Sequence, residues 1–227
     1  MEFEDRVPFV VRLEVDDRQA LFACGTRLVF PMRQVLLREH EPSAHVLILI
    51  SGWTKVTSAA ANGYEALLAL RGPGDIVGES AVLSGRGRSA TVTALGRTEA
   101  LAIEADSFGQ LLDERPSITR KLLALTADRV RDSDRRRLQY AALNVQERLA
   151  LLLLELIHSH GSQTQEGVHL TPGLTQSELA GSVGASREAV ARLLKGLRER
   201  GIVRTERRAL VVMKPDVLRR MARQADR

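Results

Sequence analysis

From residue 26 to residue 105 the chain runs through short, apolar-rich segments of β type divided by polar positions: "TRLVF", "QVLLRE", "HVLILISG", "TKVTSA", "EALLALR", "DIVGE", "SATVTAL" and "EALAIEA". Runs of this length and composition predict strands, and turn formers separate them every eight to twelve residues. In "ANGYE", Asn62-Gly63 is the pair favoured in a type I′ hairpin. Eight such strands predict a small antiparallel barrel or roll. Ahead of them "DDRQALFAC", residues 16 to 24, predicts a short helix opened by acidic residues and stopped at Gly25.

After Glu104 the period changes. Leu111, Ile118, Leu122, Leu125 and Val130 follow the three-and-four spacing of a helix that packs on another helix. Pro116 fits a helix start, which predicts a short helix before it and a long one over 116–143. A long helix of this kind seldom stays exposed, and a symmetric homodimer is the economical way to cover it. Asn144 and Glu147 form a capping box that opens the next helix, placing a domain boundary at 144. That helix runs to about 159 and gives way to "HSHGSQTQEG", read as a flexible polar loop.

The segment "TQSELAGSVGASREAVARLLKGLRERG", 175 to 201, carries the strongest local signal. Thr175 and Glu178 make a second capping box, and Gly184 stands where a tight turn needs positive φ. Ser186 can cap the helix that follows. Val190, Leu193, Leu194 and Leu197 fall on the inner face of that helix, leaving Arg187, Glu188, Ala191 and Arg192 near its start and pointing elsewhere. This is the pattern of a helix-turn-helix whose second helix enters the major groove, where Arg reads guanine and Glu accepts from cytosine. "GIVRTERRALVVM" predicts two strands around Arg207-Arg208, a wing able to touch phosphates.

Charge supports that reading. The first 139 residues carry 19 basic and 19 acidic side chains, and the last 88 carry 14 and 9, so the net charge of +5 sits wholly in the C-terminal part. Cys24 is the single cysteine, which rules out an intrachain disulfide or a thiolate-held cluster and fits the cytoplasm. "MEFEDRVPFV" lacks the basic flank and apolar run of a signal peptide. The most apolar run, "LALLLLELI" at 149 to 157, is far below the ~20 residues of a membrane helix. No GxxxxGK[ST], HExxH or GxSxG pattern is present, so an enzyme is not expected. His158 and His160 at a helix end read as surface residues rather than a metal pair, and His40 and His45 as solvated or hydrogen-bonded side chains.

In this order of parts, from about residue 15 to 213, the chain resembles the Crp/Fnr family of bacterial transcription regulators. "VGASREAVARLLKGL" is similar to that family's recognition helix. The resemblance implies an α+β protein: a jelly-roll-like, cyclic-nucleotide-binding β-roll over 1–115, a dimerisation helix over 116–143 and a winged helix-turn-helix over 144–227. It implies palindromic double-stranded DNA with TGTGA-like half-sites as the partner, together with RNA polymerase. The implied DNA contacts are Thr175, Gln176, Ser186, Arg187, Glu188, Arg192 and Lys195.

The resemblance also gives a use to "GESAVLSGRGRSA", residues 78 to 90. It implies a site for cyclic AMP in which Arg88 pairs with the cyclic phosphate. Ser89 and the backbone around Gly78, Glu79 and Ser80 add hydrogen bonds, and Glu79 accepts from the ribose hydroxyl. The bland alternative is that Glu79 and Arg88 pair with each other and stiffen the roll, DNA binding being constitutive or under another effector. The family's two base-contacting positions align with Ser133 and Asp134. Asp134 adds a charge near the base, which leaves cyclic GMP open beside cyclic AMP.

Overall fold

The computed structural model describes residues 7–42, 44–61, 63–170, 174–206 and 209–223, which form two compact units. One comprises Val7–Ala59 and Leu68–Arg131, the other residues 60–67 and 132–223.

The first unit begins with a 3-10 turn, Phe9–Arg12, and helix α1, Val15–Ala23. Strands β1 (Thr26–Phe30), β2 (Val35–Leu37), β3 (His45–Ser51), β4 (Thr54–Ala59), β5 (Glu65–Arg71) and β6 (Ile76–Val77) follow. Helix α2 (Glu79–Ser84), strands β7 (Thr91–Ala94) and β8 (Thr98–Glu104), helix α3 (Ala105–Glu114) and the long helix α4 (Pro116–Ala142) complete the order. All eight strand runs of the sequence therefore become strands, in two four-stranded sheets ordered β1-β8-β3-β6 and β2-β7-β4-β5. The type I′ turn expected at Asn62-Gly63 falls partly outside the described residues; Gly63 itself has φ +81°.

β3 is apolar on both faces because both are covered. Val46 and Ile48 join the cluster of Phe9, Leu21, Phe108, Ile118 and Leu122. Leu47 and Leu49, pointing the other way, join Phe30, Leu37, Val92 and Ala100 between the sheets. Antiparallel pairing of Val46 with Ile103 and of Ile48 with Leu101 sets the register, and a slip of one residue would turn both apolar sets to the wrong face.

One expectation is corrected here. Ile118, Leu122 and Leu125 do not face another long helix; they are buried in the core of the roll itself. The large apolar and aromatic side chains that α4 leaves exposed are Leu123, Val130, Leu138 and Tyr140.

The second unit contains α5 (Val145–His160), β9 (Gly161–Thr164), β10 (Gly167–Leu170), α6 (Gln176–Val183), α7 (Arg187–Glu199), β11 (Val203–Glu206), β12 (Ala209–Val212) and α8 (Pro215–Arg223). The segment read as a flexible loop is instead the β9–β10 hairpin, in a sheet ordered β11-β12-β10-β9. Val168 and Leu170 are the buried side chains that hold it, paired with Val212 and Leu210. Helix α8 was not expected either; it buries Leu218, Met221 and Ala222, one turn apart on one face. No helix of the described residues is long and apolar enough to cross a membrane.

Candidate ligand cleft and nucleic-acid interface

The stretch around Gly78 builds a cleft in the roll. β6 ends at Val77, and the chain turns into α2 through Gly78, whose φ of +85° suits a residue without a side chain. A Cβ there would also stand 2.5 Å from Nη1 of Arg88 and 2.9 Å from Leu37, so the guanidinium occupies the space that the glycine leaves. Arg88 is 4% exposed. Its Nη1 donates to the Gly78 carbonyl at 2.8 Å and its Nη2 to the His45 carbonyl at 2.6 Å. Its backbone is pinned as well: its N–H donates to the Glu41 carbonyl at 2.9 Å, and its carbonyl accepts from the His40 N–H at 2.8 Å. Burial pushes its pKa below the usual arginine value, opposed by the nearby charges of Glu79 and Glu41.

Glu79 is also buried, but its partner is not Arg88. Its Oε1 accepts from Nη1 of Arg129, on α4, whose Nη2 donates to the Ile76 carbonyl at 2.8 Å. The alternative in which Glu79 and Arg88 merely pair with each other is therefore not what the fold builds. Sequence reasoning missed Arg129, which lies 50 residues beyond its partner and carries no local motif. Ser80 and Ser89 are exposed side chains lining the same cleft. Its ionisable lining consists of Arg71, Arg88, Arg129 and Glu79, a net positive set against the apolar wall of Leu37, Val56, Val77 and Val92. The lining thus combines a net positive charge with apolar surface, a combination chemically suited to an anion with an apolar portion. Ser133 and Asp134 belong to the second unit, both exposed on α4, with Asp134 3.4 Å from Arg137.

In the second unit α6 and α7 form the expected helix-turn-helix. Thr175 Oγ1 accepts from the Glu178 N–H at 3.2 Å, and Glu178 Oε2 accepts from the Thr175 N–H at 2.8 Å, closing the capping box. Gly184 caps α6 at φ +59°, ψ +48°, and a Cβ there would stand 3.0 Å from the ring of Tyr140. Ser186 Oγ accepts from the Ala189 N–H at 3.1 Å, opening α7. The last carbonyls of α6 are held too: Tyr140 donates its hydroxyl to Ser182, and Arg148 Nε donates to Val183 at 2.8 Å.

Val190, Leu194 and Leu197 bury one side of α7. Arg187, Glu188, Arg192 and Lys195 stand exposed on it, as do Thr175 and Ser186 beside it, while Gln176 is half-buried. Among the described residues, Arg187, Glu188 and Arg192 make no side-chain hydrogen bond or ion pair, whereas Lys195 lies 3.8 Å from Glu199. β11 and β12 form the hairpin expected as a wing, with Arg204 bound to Glu166 and Glu206. The Arg207-Arg208 tip lies outside the described residues.

A roll with a positively lined cleft and a helix-turn-helix with an exposed basic face are the parts of a DNA-binding regulator that carries a ligand-binding type of domain. Comparison with known proteins agrees. Residues 27–115 match the cyclic nucleotide-binding domain family and residues 147–221 the Crp-like helix-turn-helix domain family. The chain is 32% identical over 194 residues to the CRP-like cAMP-activated global transcriptional regulator of Mycobacterium tuberculosis, covering 86% of this chain and 87% of that protein. It is 31% identical over 181 residues to the cyclic AMP receptor protein of Thermus thermophilus, covering 78% and 79%. Among solved structures, the c-di-GMP responsive global regulator CLP of Xanthomonas campestris superposes with a TM-score of 0.77 at 23% identity, covering 88% of this chain and 99% of that one. FixK2 of Bradyrhizobium japonicum gives 0.75 at 21%, covering 87% and 96%. The chain belongs to the Crp/Fnr family: it is a DNA-binding transcription regulator with a cyclic nucleotide-binding domain.

The Glu79–Arg129 pair yields a stability prediction. Arg129→Leu leaves a buried carboxylate without its cation, and denaturant unfolding should show a loss on the order of 3 kcal/mol, part of which Glu79→Gln restores in the double variant. Additive single effects would mean that the pair does not act as a unit.

Proposed function

We propose that this protein is a homodimeric transcription regulator whose affinity for DNA is set by a cyclic nucleotide in the roll, cyclic AMP being the effector named for its relatives in Mycobacterium tuberculosis and Thermus thermophilus. The observation that carries this reading is the state of Arg88. A buried guanidinium whose hydrogen bonds go to two backbone carbonyls keeps its charge without a carboxylate in contact. Desolvating a cation is costly, and an anion placed against it offsets that cost. A cyclic phosphodiester carries one negative charge and matches one such guanidinium.

Glu79 receives the ribose hydroxyl while it holds Arg129. Because Arg129 is on α4, occupancy of the cleft bears directly on the long helix. The exposed Leu123, Val130 and Leu138 of α4 supply the apolar stripe for a second copy of the chain. A ligand that alters the packing of the two long helices near Asn144 would set the recognition helices at the ~34 Å spacing of successive major grooves. Ser80 and Ser89 supplement the phosphate contacts, and the assignment of Ser133 and Asp134 to the base rests on the family resemblance. On DNA, Arg187, Glu188 and Arg192 read bases in TGTGA-like half-sites, while Thr175, Gln176, Ser186 and Lys195 meet the backbone nearby. The protein would work in the cytoplasm, beside RNA polymerase.

Two measurements test this. Calorimetric titration with cyclic AMP should give saturable binding that Arg88→Ala abolishes; equal binding by the variant would place the nucleotide elsewhere. Arg187→Ala should weaken binding to a TGTGA-containing duplex by ~1–3 kcal/mol and relax base preference at one position. A uniform loss on every duplex would make Arg187 a phosphate contact instead.

A further inference from the structure

In the second unit the last carbonyls of two helices converge on one side chain. Arg148 stands in the first turn of α5 and is half-buried. Its Nη1 donates to the carbonyls of Tyr140, at 3.3 Å, and of Leu143, both at the end of α4. Its Nε donates at 2.8 Å to the carbonyl of Val183, the last residue of α6. The guanidinium also lies over the Tyr140 ring, 5.4 Å from its centre, and the hydroxyl of that ring donates to the Ser182 carbonyl. Two side chains in contact with each other therefore hold the same end of α6.

The capping box leaves this place open. The Asn144 N–H, which would continue α4 by bonding the Tyr140 carbonyl, goes instead to Glu147 Oε2 at 2.8 Å. α4 stops there, and the angle at such a break is set by the bonds that cross it. Carbonyls at a helix C-terminus are orphan acceptors with partial negative charge, and a guanidinium offers several donors to them in one planar group. Only Gly184, Ala185 and Ser186 separate α6 from α7, so a bond to Val183 also holds the start of the recognition helix. We propose that Arg148, with Tyr140 against it, is the positioning residue that sets the recognition helix at a fixed angle to the end of the long helix, and thereby the half-site spacing that the dimer accepts. Arg148 touches no base in this role. The proposal deepens the reading of the protein as a homodimer on a palindromic site and rests on it.

The test is equilibrium binding, at saturating cyclic AMP, of the unaltered full-length protein, Arg148→Met and Tyr140→Phe. The duplexes carry a single TGTGA half-site, two half-sites at the preferred spacing, or two with the spacer lengthened by one or two base pairs. Arg148→Met should weaken binding at the preferred spacing on the order of tenfold and leave the single half-site within about twofold, because a loosened recognition helix loses effective concentration at the second half-site rather than contacts. Its preference for the original spacer over the lengthened ones should shrink accordingly. Tyr140→Phe keeps the ring against the guanidinium and loses only the bond to Ser182, so it should move in the same direction by a smaller factor. Loss by the same factor on one half-site and on two would make Arg148 a support of the helix-turn-helix fold alone, and the proposal fails. An unchanged spacing preference in both variants defeats it as well. If the unaltered protein shows no preference for two half-sites over one, the homodimer reading itself is overturned, and this proposal with it.

Discussion

The local architecture of the roll depends on the burial of one positive charge. A guanidinium as enclosed as that of Arg88 survives only where its donors are met, and here two backbone carbonyls, those of Gly78 and His45, meet them. Several features of the chain follow. Residue 78 is a glycine, since any Cβ would stand in the place of the guanidinium. The loop after α2 is fixed at its end by reciprocal backbone bonds between Arg88 and residues 40 and 41. Because carbonyls satisfy donors without neutralising charge, the finished cleft is preorganised for an anion, and preorganisation is what keeps the entropic cost of binding low.

The second consequence concerns Glu79. A carboxylate beside a buried arginine would ordinarily be expected to pair with it. Instead it binds Arg129 on the long helix, so two opposite charges stand near each other with separate partners. This separation gives the cleft two faces of different chemistry, a cationic one and a carboxylate acceptor, and it ties the second of them to α4. An effector that engages Glu79 necessarily competes with or reinforces a contact to that helix, which is how binding energy in the roll can be spent on a conformational equilibrium. In the C-terminal unit, the turn of the helix-turn-helix is held by comparable means: Tyr140 and Arg148 satisfy the last carbonyls of α6, and Gly184 gives the Tyr140 ring its room.

Much of this was legible in the sequence, where the determining signal was local. All eight strand runs of the roll follow from short β-type segments punctuated by turn formers, and the caps at Asn144, Thr175 and Ser186 follow from side chains that reach only three residues along the chain. What escaped was non-local or weakly patterned. Arg129 is one arginine in an arginine-rich helix, and only tertiary structure brings it to Glu79. The β9–β10 hairpin has a polar outer strand, Gly161–Thr164, so half of it looked like loop. The apolar spacing of Ile118, Leu122 and Leu125 was read correctly as a buried stripe, but a stripe does not say what covers it, and the roll's own core does.

The central claim is that ligand and DNA sites are thermodynamically linked, and the most direct measurement is the affinity of the full-length protein for a TGTGA-containing duplex with and without saturating cyclic nucleotide. Linkage predicts that the nucleotide tightens binding on the order of 5- to 150-fold, and that the duplex tightens nucleotide binding by the same factor. Identical DNA affinities in the two conditions would contradict the account and leave a regulator that binds its sites without this effector.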